Sequence, residues 1–152
     1  MMAIMKFNRS LILYMAALVC LLMVSGCDDD AGEPSAEEKY LDRLSSTWVL
    51  EEVTVDDTDV SFAFPGLELT VNAKKTFAVK NPVNPIWPAS GTFTLQPVSA
   101  SQPYLIKRSD GIDVTVASLS DTNMTLQFPY TGNDGGRVSS VGGIYEFYFT
   151  KK

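Results

Sequence analysis

In Met124-Thr125-Leu126-Gln127-Phe128-Pro129-Tyr130, four apolar side chains alternate with Thr125, Gln127 and Pro129. A period of two places Met124, Leu126, Phe128 and Tyr130 on one face of a β-strand and the rest on the other. The same period extends in both directions. Toward the C-terminus, Tyr145, Phe147 and Phe149 share a face opposite Ile144, Glu146 and Tyr148. Toward the N-terminus, Ile112, Val114 and Val116 follow the hairpin dipeptide Asp110-Gly111. Tyr104 and Ile106 precede it, and Phe93 and Leu95 lie within Thr92–Gln96. Leu67, Leu69 and Val71 lead into the turn Asn72-Ala73-Lys74-Lys75, and Phe77 and Val79 follow it. Phe62 and Phe64 flank Ala63 before a Pro65-Gly66 turn, and Trp48–Val55 alternates less regularly. Eight or nine short strands separated by turn signals, with no interior helical period, predict an all-β barrel or β-sandwich. One apolar face per strand suits antiparallel pairing, and about 120 residues suffice for a single core.

Ahead of the strands, Pro34–Ser45 predicts one short helix. Ser35 is a favourable N-cap and Glu38 completes a capping-box pattern. Glu37 and Glu38 suit the first turn and Arg43 the last. Tyr40, Leu41 and Leu44 form a narrow apolar stripe. So short a helix is marginal alone and is expected to lie against the domain, over one end of a barrel.

The N-terminal fifth of the chain has a different character. Lys6 and Arg9 form a positive start, with no acidic residue before Asp28. Leu11–Val24 is an apolar run of 14 residues, short of the roughly 20 needed to span a bilayer as a helix. Small residues at its exit complete the pattern of a secretory signal peptide over residues 1–26. Leu22-Met23-Val24-Ser25-Gly26-Cys27 resembles a bacterial lipobox, in which a signal peptidase cuts before a cysteine that carries lipid. The resemblance implies lipidation of Cys27. Residues 27–33 then read as a flexible acidic tether, and 34–152 as the folded domain. Asp28, Asp29 and Asp30 resemble the acidic export signal behind the lipid cysteine of surface-exposed Bacteroidetes lipoproteins. That implies an outer-membrane, surface-exposed location. An Asp in this position elsewhere among Gram-negative bacteria favours retention at the inner membrane, and the periplasmic face of the outer membrane is the other reading.

Charge and composition remove several function classes. The chain has 12 Lys+Arg and 18 Asp+Glu, and removal of Lys6 and Arg9 with the signal leaves 10 against 18, a net −8. Such a surface repels nucleic acid and anionic membranes, so no nucleic-acid partner is expected and membrane attachment falls to the lipid on Cys27. The cysteines are Cys20, inside the signal run, and Cys27, and there is no histidine. Ser-His-Asp and Cys-His nucleophiles and the usual zinc sites are thereby excluded. No cofactor and no metal are expected, although carboxylate chemistry stays open.

From Leu44 to Leu50 the sequence Leu-Ser-Ser-Thr-Trp-Val-Leu resembles the opening of lipocalin-like domains in small Bacteroidetes lipoproteins, where a short helix leads to Gly-Thr-Trp at the first strand. Ser46 stands here in place of the glycine. Trp87-Pro88-Ala89-Ser90-Gly91-Thr92-Phe93, Lys107-Arg108-Ser109-Asp110-Gly111, and Gly135-Gly136-Arg137 through Gly143-Ile144-Tyr145-Glu146-Phe147 are similar to later segments of these domains. The resemblance implies an eight-stranded antiparallel up-and-down barrel, with Trp48 packed across the end beneath the helix. The family's function is mostly unknown, so it implies a fold more than an activity.

Candidate sites follow from unusual loops. Asn81–Pro88 carries three prolines, which stiffen it. Trp87 there could stack on a sugar ring, cover a barrel mouth, or fill a gap in the core. Trp87, Tyr104 and Arg137 are the candidate ligand-binding side chains. Thr131–Arg137 could hold calcium or phosphate, but it lacks the EF-hand and P-loop patterns and reads as a hairpin loop. Asp56-Asp57-Thr58-Asp59 offers three carboxylates for a weak calcium site or a solvated turn. Glu51 and Glu52 fall on opposite faces of a strand, and an inward one would need a partner such as Arg108 or Arg137, or would mark a polar ligand cavity. The expected function is a lipid-anchored, non-catalytic envelope module binding a small hydrophobic ligand, a glycan or a partner protein. The alternatives are a structural subunit of an outer-membrane uptake or assembly complex and, behind it, a carboxylate-based hydrolase.

Overall fold

The computed structural model of the protein describes residues 33–99, 104–132 and 142–152. One helix, α1 (Ala36–Leu44), precedes nine strands: β1 (Thr47–Val55), β2 (Thr58–Asp59), β3 (Glu68–Asn72), β4 (Thr76–Lys80), β5 (Ser90–Pro97), β6 (Tyr104–Arg108), β7 (Asp113–Leu119), β8 (Asn123–Tyr130) and β9 (Gly143–Lys151). Each strand from β3 to β8 pairs antiparallel with the next. Both β3 and β9 pair with β1, which closes an eight-stranded up-and-down barrel. The two-residue β2 folds back on the end of β1 as a hairpin. The barrel alternative is therefore the one adopted, and the edge-strand problem of an open sheet does not arise.

The period of two is what fills the barrel. Met124, Leu126, Phe128 and Tyr130 of β8 are all buried, as are Tyr145, Phe147 and Phe149 of β9 in register opposite them. Aromatic rings then stack along the strands: Phe128 lies 5.4 Å from Phe147, which lies 6.2 Å from Phe149. Gly91 permits one such contact. The Phe77 ring lies across it, and a Cβ there would sit 2.7 Å from two ring carbons.

Two local features depart from ideal alternation, and a third keeps the alternation but reverses the expected charge. The first is a bulge in β1 between Leu50 and Glu52, which adds a residue and resets the parity. Trp48 before it and Val53 and Val55 after it all face inward, and Glu51 and Glu52 are both exposed. The expectation that one glutamate might point into the barrel is thus corrected by the bulge. The second is the Phe62-Ala63-Phe64 segment, which is a 3-10 turn (Ser61–Ala63) and not a strand. The turn sends Phe62 outward and Phe64 into the core. The third is the polarity of the buried charge. It is a cation, Arg108, and not a carboxylate.

The helix forms as its cap predicts. Ser35 Oγ accepts from the Glu38 N–H at 3.2 Å, and Glu38 Oε2 accepts from the Ser35 N–H at 2.7 Å. Leu41 and Leu44 are buried under it. The Trp48 indole, fully buried, donates to the Leu44 carbonyl at 2.9 Å. Further ties fasten the helix to the turns at this end. Lys75 reaches Glu37 at 2.6 Å, Arg43 donates to the Leu119 carbonyl at 2.9 Å, and the Tyr40 and Tyr104 rings lie 4.8 Å apart.

Candidate functional site

The other mouth of the barrel is closed by a different device, built from the proline-rich loop between β4 and β5. Stiff backbone lets this loop hold a shape with little internal hydrogen bonding. Its one internal backbone bond runs from the Trp87 N–H to the Val83 carbonyl, 2.8 Å. The loop turns Ile86 and Trp87 inward, leaving them 5% and 2% exposed. Phe77, Phe128 and Phe147 surround the indole edge-to-face at 6.0, 5.8 and 5.6 Å.

Arg108, the last residue of β6, completes the plug. Its guanidinium carbon sits 4.5 Å from the Trp87 ring centroid, 5.6 Å from Phe77 and 5.7 Å from Phe128. Cations gain most from aromatic faces where water is excluded, and this side chain is 1% exposed. Nη1 donates to the Ile86 carbonyl at 3.0 Å, and Nη2 donates to the carboxylate of Asp110 in the following hairpin turn. Burial lowers the Arg108 pKa, while the Asp110 carboxylate opposes the shift. Trp87 Nε1 and Arg108 Nε are buried without a hydrogen-bond partner.

What remains open inside the barrel is small. A cavity of ≈ 20 Å³ lies among Leu69, Val71, Phe77, Trp87, Arg108 and Met124. Room for one water needs about 10–15 Å³, whereas small-molecule sites run to roughly 300–1,000 Å³. Among the described residues the interior is therefore a packed core.

The sequence-derived candidates do not converge. Trp87 belongs to the plug and is closed to solvent, so of its three readings the structure shows a buried side chain filling the mouth. Tyr104 stands at the opposite end, half-buried against Tyr40 on an open groove of ≈ 540 Å³ beside α1. Burial pushes the Tyr40 phenol up to about 12, with Arg43 opposing and Tyr104 reinforcing the shift. Arg137 lies outside the described residues, as do residues 1–26 and Cys27, Asp28, Asp29 and Asp30. Two carboxylates of the acidic turn accept hydrogen bonds from the barrel itself. Asp56 Oδ1 accepts from the Ile144 N–H at 3.0 Å, and Asp59 Oδ1 accepts from the Ser61 N–H and hydroxyl at 2.8 and 2.6 Å. Those bonds hold the Asp59 carboxyl below its ordinary pKa. Among the described residues no three His, Cys, Asp or Glu side chains form a metal-binding group.

Searches of protein-family models, curated proteins and solved structures give no match to the chain.

The residue that sequence reasoning undervalued is Arg108. The signal was its parity: Ile106 faces inward, and Arg108 lies two residues further along the same strand. A charge at an inward position gains nothing unless it is paired. Here three aromatic rings, a carbonyl and Asp110 supply the pairing.

Proposed function

We propose that the protein is a lipid-anchored, lipocalin-like lipoprotein of the outer membrane, non-catalytic and displayed at the cell surface. Its barrel serves as a filled scaffold that engages a partner protein through its outside. The observation that carries this reading is the occupied interior, where Trp87, Arg108 and the aromatic ladder leave ≈ 20 Å³. A resident hydrophobic cargo of ordinary size has no room there. The Leu22–Cys27 resemblance supports attachment at Cys27, and Asp28, Asp29 and Asp30 support export. The lack of histidine, and of any thiol besides Cys27 after residue 26, supports a binding role over catalysis. A second reading, glycan or small-ligand binding, is favoured by the groove beside Tyr40 and Tyr104.

Metabolic labelling with a clickable fatty acid tests the anchor. The native chain is expected to label and to fractionate with envelopes, and Cys27→Ser to do neither. A Cys27→Ser chain that still labels contradicts the reading. Proteolysis of intact cells tests display, since full protection would place the protein on the periplasmic face.

A further inference from the structure

The half of the barrel away from α1 carries the most conspicuous exposed side chain. Phe62 is 85% exposed, and it is the only exposed aromatic among the described residues. Its support is rigid. Val53 N–H donates to Ser61 Oγ at 2.9 Å, Val60 N–H to the Val53 carbonyl at 2.8 Å, and Phe64 N–H to the Ser61 carbonyl at 3.0 Å. Asp59 clamps Ser61 from the other side. Two residues on, Phe64 is locked 5.2 Å from Phe147 in the core. An aromatic side chain held outward on a fixed pedestal loses little freedom on binding, and such side chains are typical interface anchors.

The surroundings specify the partner's charge. From Leu44 to Ala73 there is no Lys or Arg, while Glu51, Glu52, Asp56, Asp57 and Asp59 fall in that span; Glu68, also within it, is ion-paired to Lys80 and Lys152. Asp56, Asp57 and Asp59 share the β1–β3 connection with Phe62, and all three are exposed. An anionic bilayer surface would be repelled by such a rim, and so would a second copy of the same face. A protein surface with complementary charge would be drawn to it.

The geometry points to Phe62 as the anchor of a protein-docking surface, taking a partner that offers an apolar socket rimmed by Lys and Arg. The inference rests on the proposed surface-binding role and assigns it to one end of the barrel. The test is photo-crosslinking of the full chain in its producing cells, with a benzophenone amino acid placed at 62 or, as control, at Val98, which is 57% exposed at the α1 end. The expected result is one discrete protein adduct from position 62, absent from position 98 and weakened by Asp57→Asn, which removes charge but suits the positive φ of 65°. The peptide crosslinked in the adduct should lie beside Lys or Arg. With that partner in hand, Phe62→Ala should weaken binding by about 30-fold or more while leaving the Tm unchanged. No adduct, an adduct equally formed from 98, one indifferent to Asp57→Asn, a lipid adduct or a doubled chain mass would each overturn the inference. Fractionation of the same cells separates the two claims. Envelope-bound protein without the adduct defeats only the docking surface, whereas soluble protein defeats the anchoring on which it rests.

Discussion

Trp87→Ala removes the plug and leaves the barrel open at the mouth opposite α1. A buried tryptophan contributes about 150–250 Å² of burial, worth about 4–6 kcal/mol at roughly 25 cal/mol/Å². Truncations of this kind measure about 3–5 kcal/mol because the site partly collapses. Collapse is resisted here, since the three phenylalanine rings around the indole sit on three different strands of a closed barrel. Arg108 also loses its nearest aromatic face, at 4.5 Å. The expected loss is therefore about 4–5 kcal/mol, a large part of the roughly 5–15 kcal/mol that holds a domain together. Urea unfolding, followed by circular dichroism and by the emission of Trp48, reads it directly. The slope with denaturant should stay near the native value while the midpoint falls. A loss below about 1 kcal/mol, of the size seen for exposed positions, would refute the assignment of Trp87 as a plug.

The remaining expectations concern the charge, a glycine and pH. Asp110→Ala leaves the Arg108 guanidinium buried without its anion and should destabilise by about 2–4 kcal/mol, more than Arg108→Met, which removes the charge as well; thermal scans of both variants decide the order. Gly91→Ala forces a methyl into the Phe77 ring, where the built Cβ meets carbons at 2.7 Å, and should lose about 1–3 kcal/mol in the same urea assay. The Tyr40 phenol is raised to about 12 in the folded state from an ordinary 10.0, so the fold favours the protonated form. Its contribution is complete below pH 10 and is lost as pH rises from 10 toward 12. Tyr40→Phe should therefore weaken the alkaline fall in Tm, though burial also raises Tyr145 and the Glu146 hydrogen bond raises Tyr148, so part of the fall persists.

How far the sequence carries can be judged element by element. Strands β8 and β9 were legible because period-two alternation is a local signal, and one buried face requires it. Helix α1 was legible because Ser35 and Glu38 satisfy each other within three residues. The bulge at Leu50–Glu52 was not, because an inserted residue is defined by its partner strand and leaves no composition mark. Phe62 and Phe64 misled for a local reason: two phenylalanines around an alanine fit a strand, and the Asp59–Ser61 clamp that turns them into a knuckle is not a periodic signal. Trp87 could be placed on a stiff loop, but whether its ring faced sugar, solvent or core depended on a cavity framed by β4, β6, β8 and β9. Arg108 obeyed the alternation that its neighbours obeyed, and only its charge argued against burial. The partners that decide such cases lie tens of residues away, at separations that periodicity does not reach.

On the proposed reading the barrel is full and binding belongs to its outside. Native mass spectrometry of residues 34–152, cut from the envelope-anchored protein by proteolysis within residues 27–33, tests it most directly when paired with methyl and aromatic NMR during titration with a medium-chain fatty acid. The account predicts the mass of the polypeptide alone and no shifts at Phe77, Met124 or Leu126, which border the ≈ 20 Å³ cavity. A co-purifying apolar molecule, or saturable shifts at those interior residues, would contradict it.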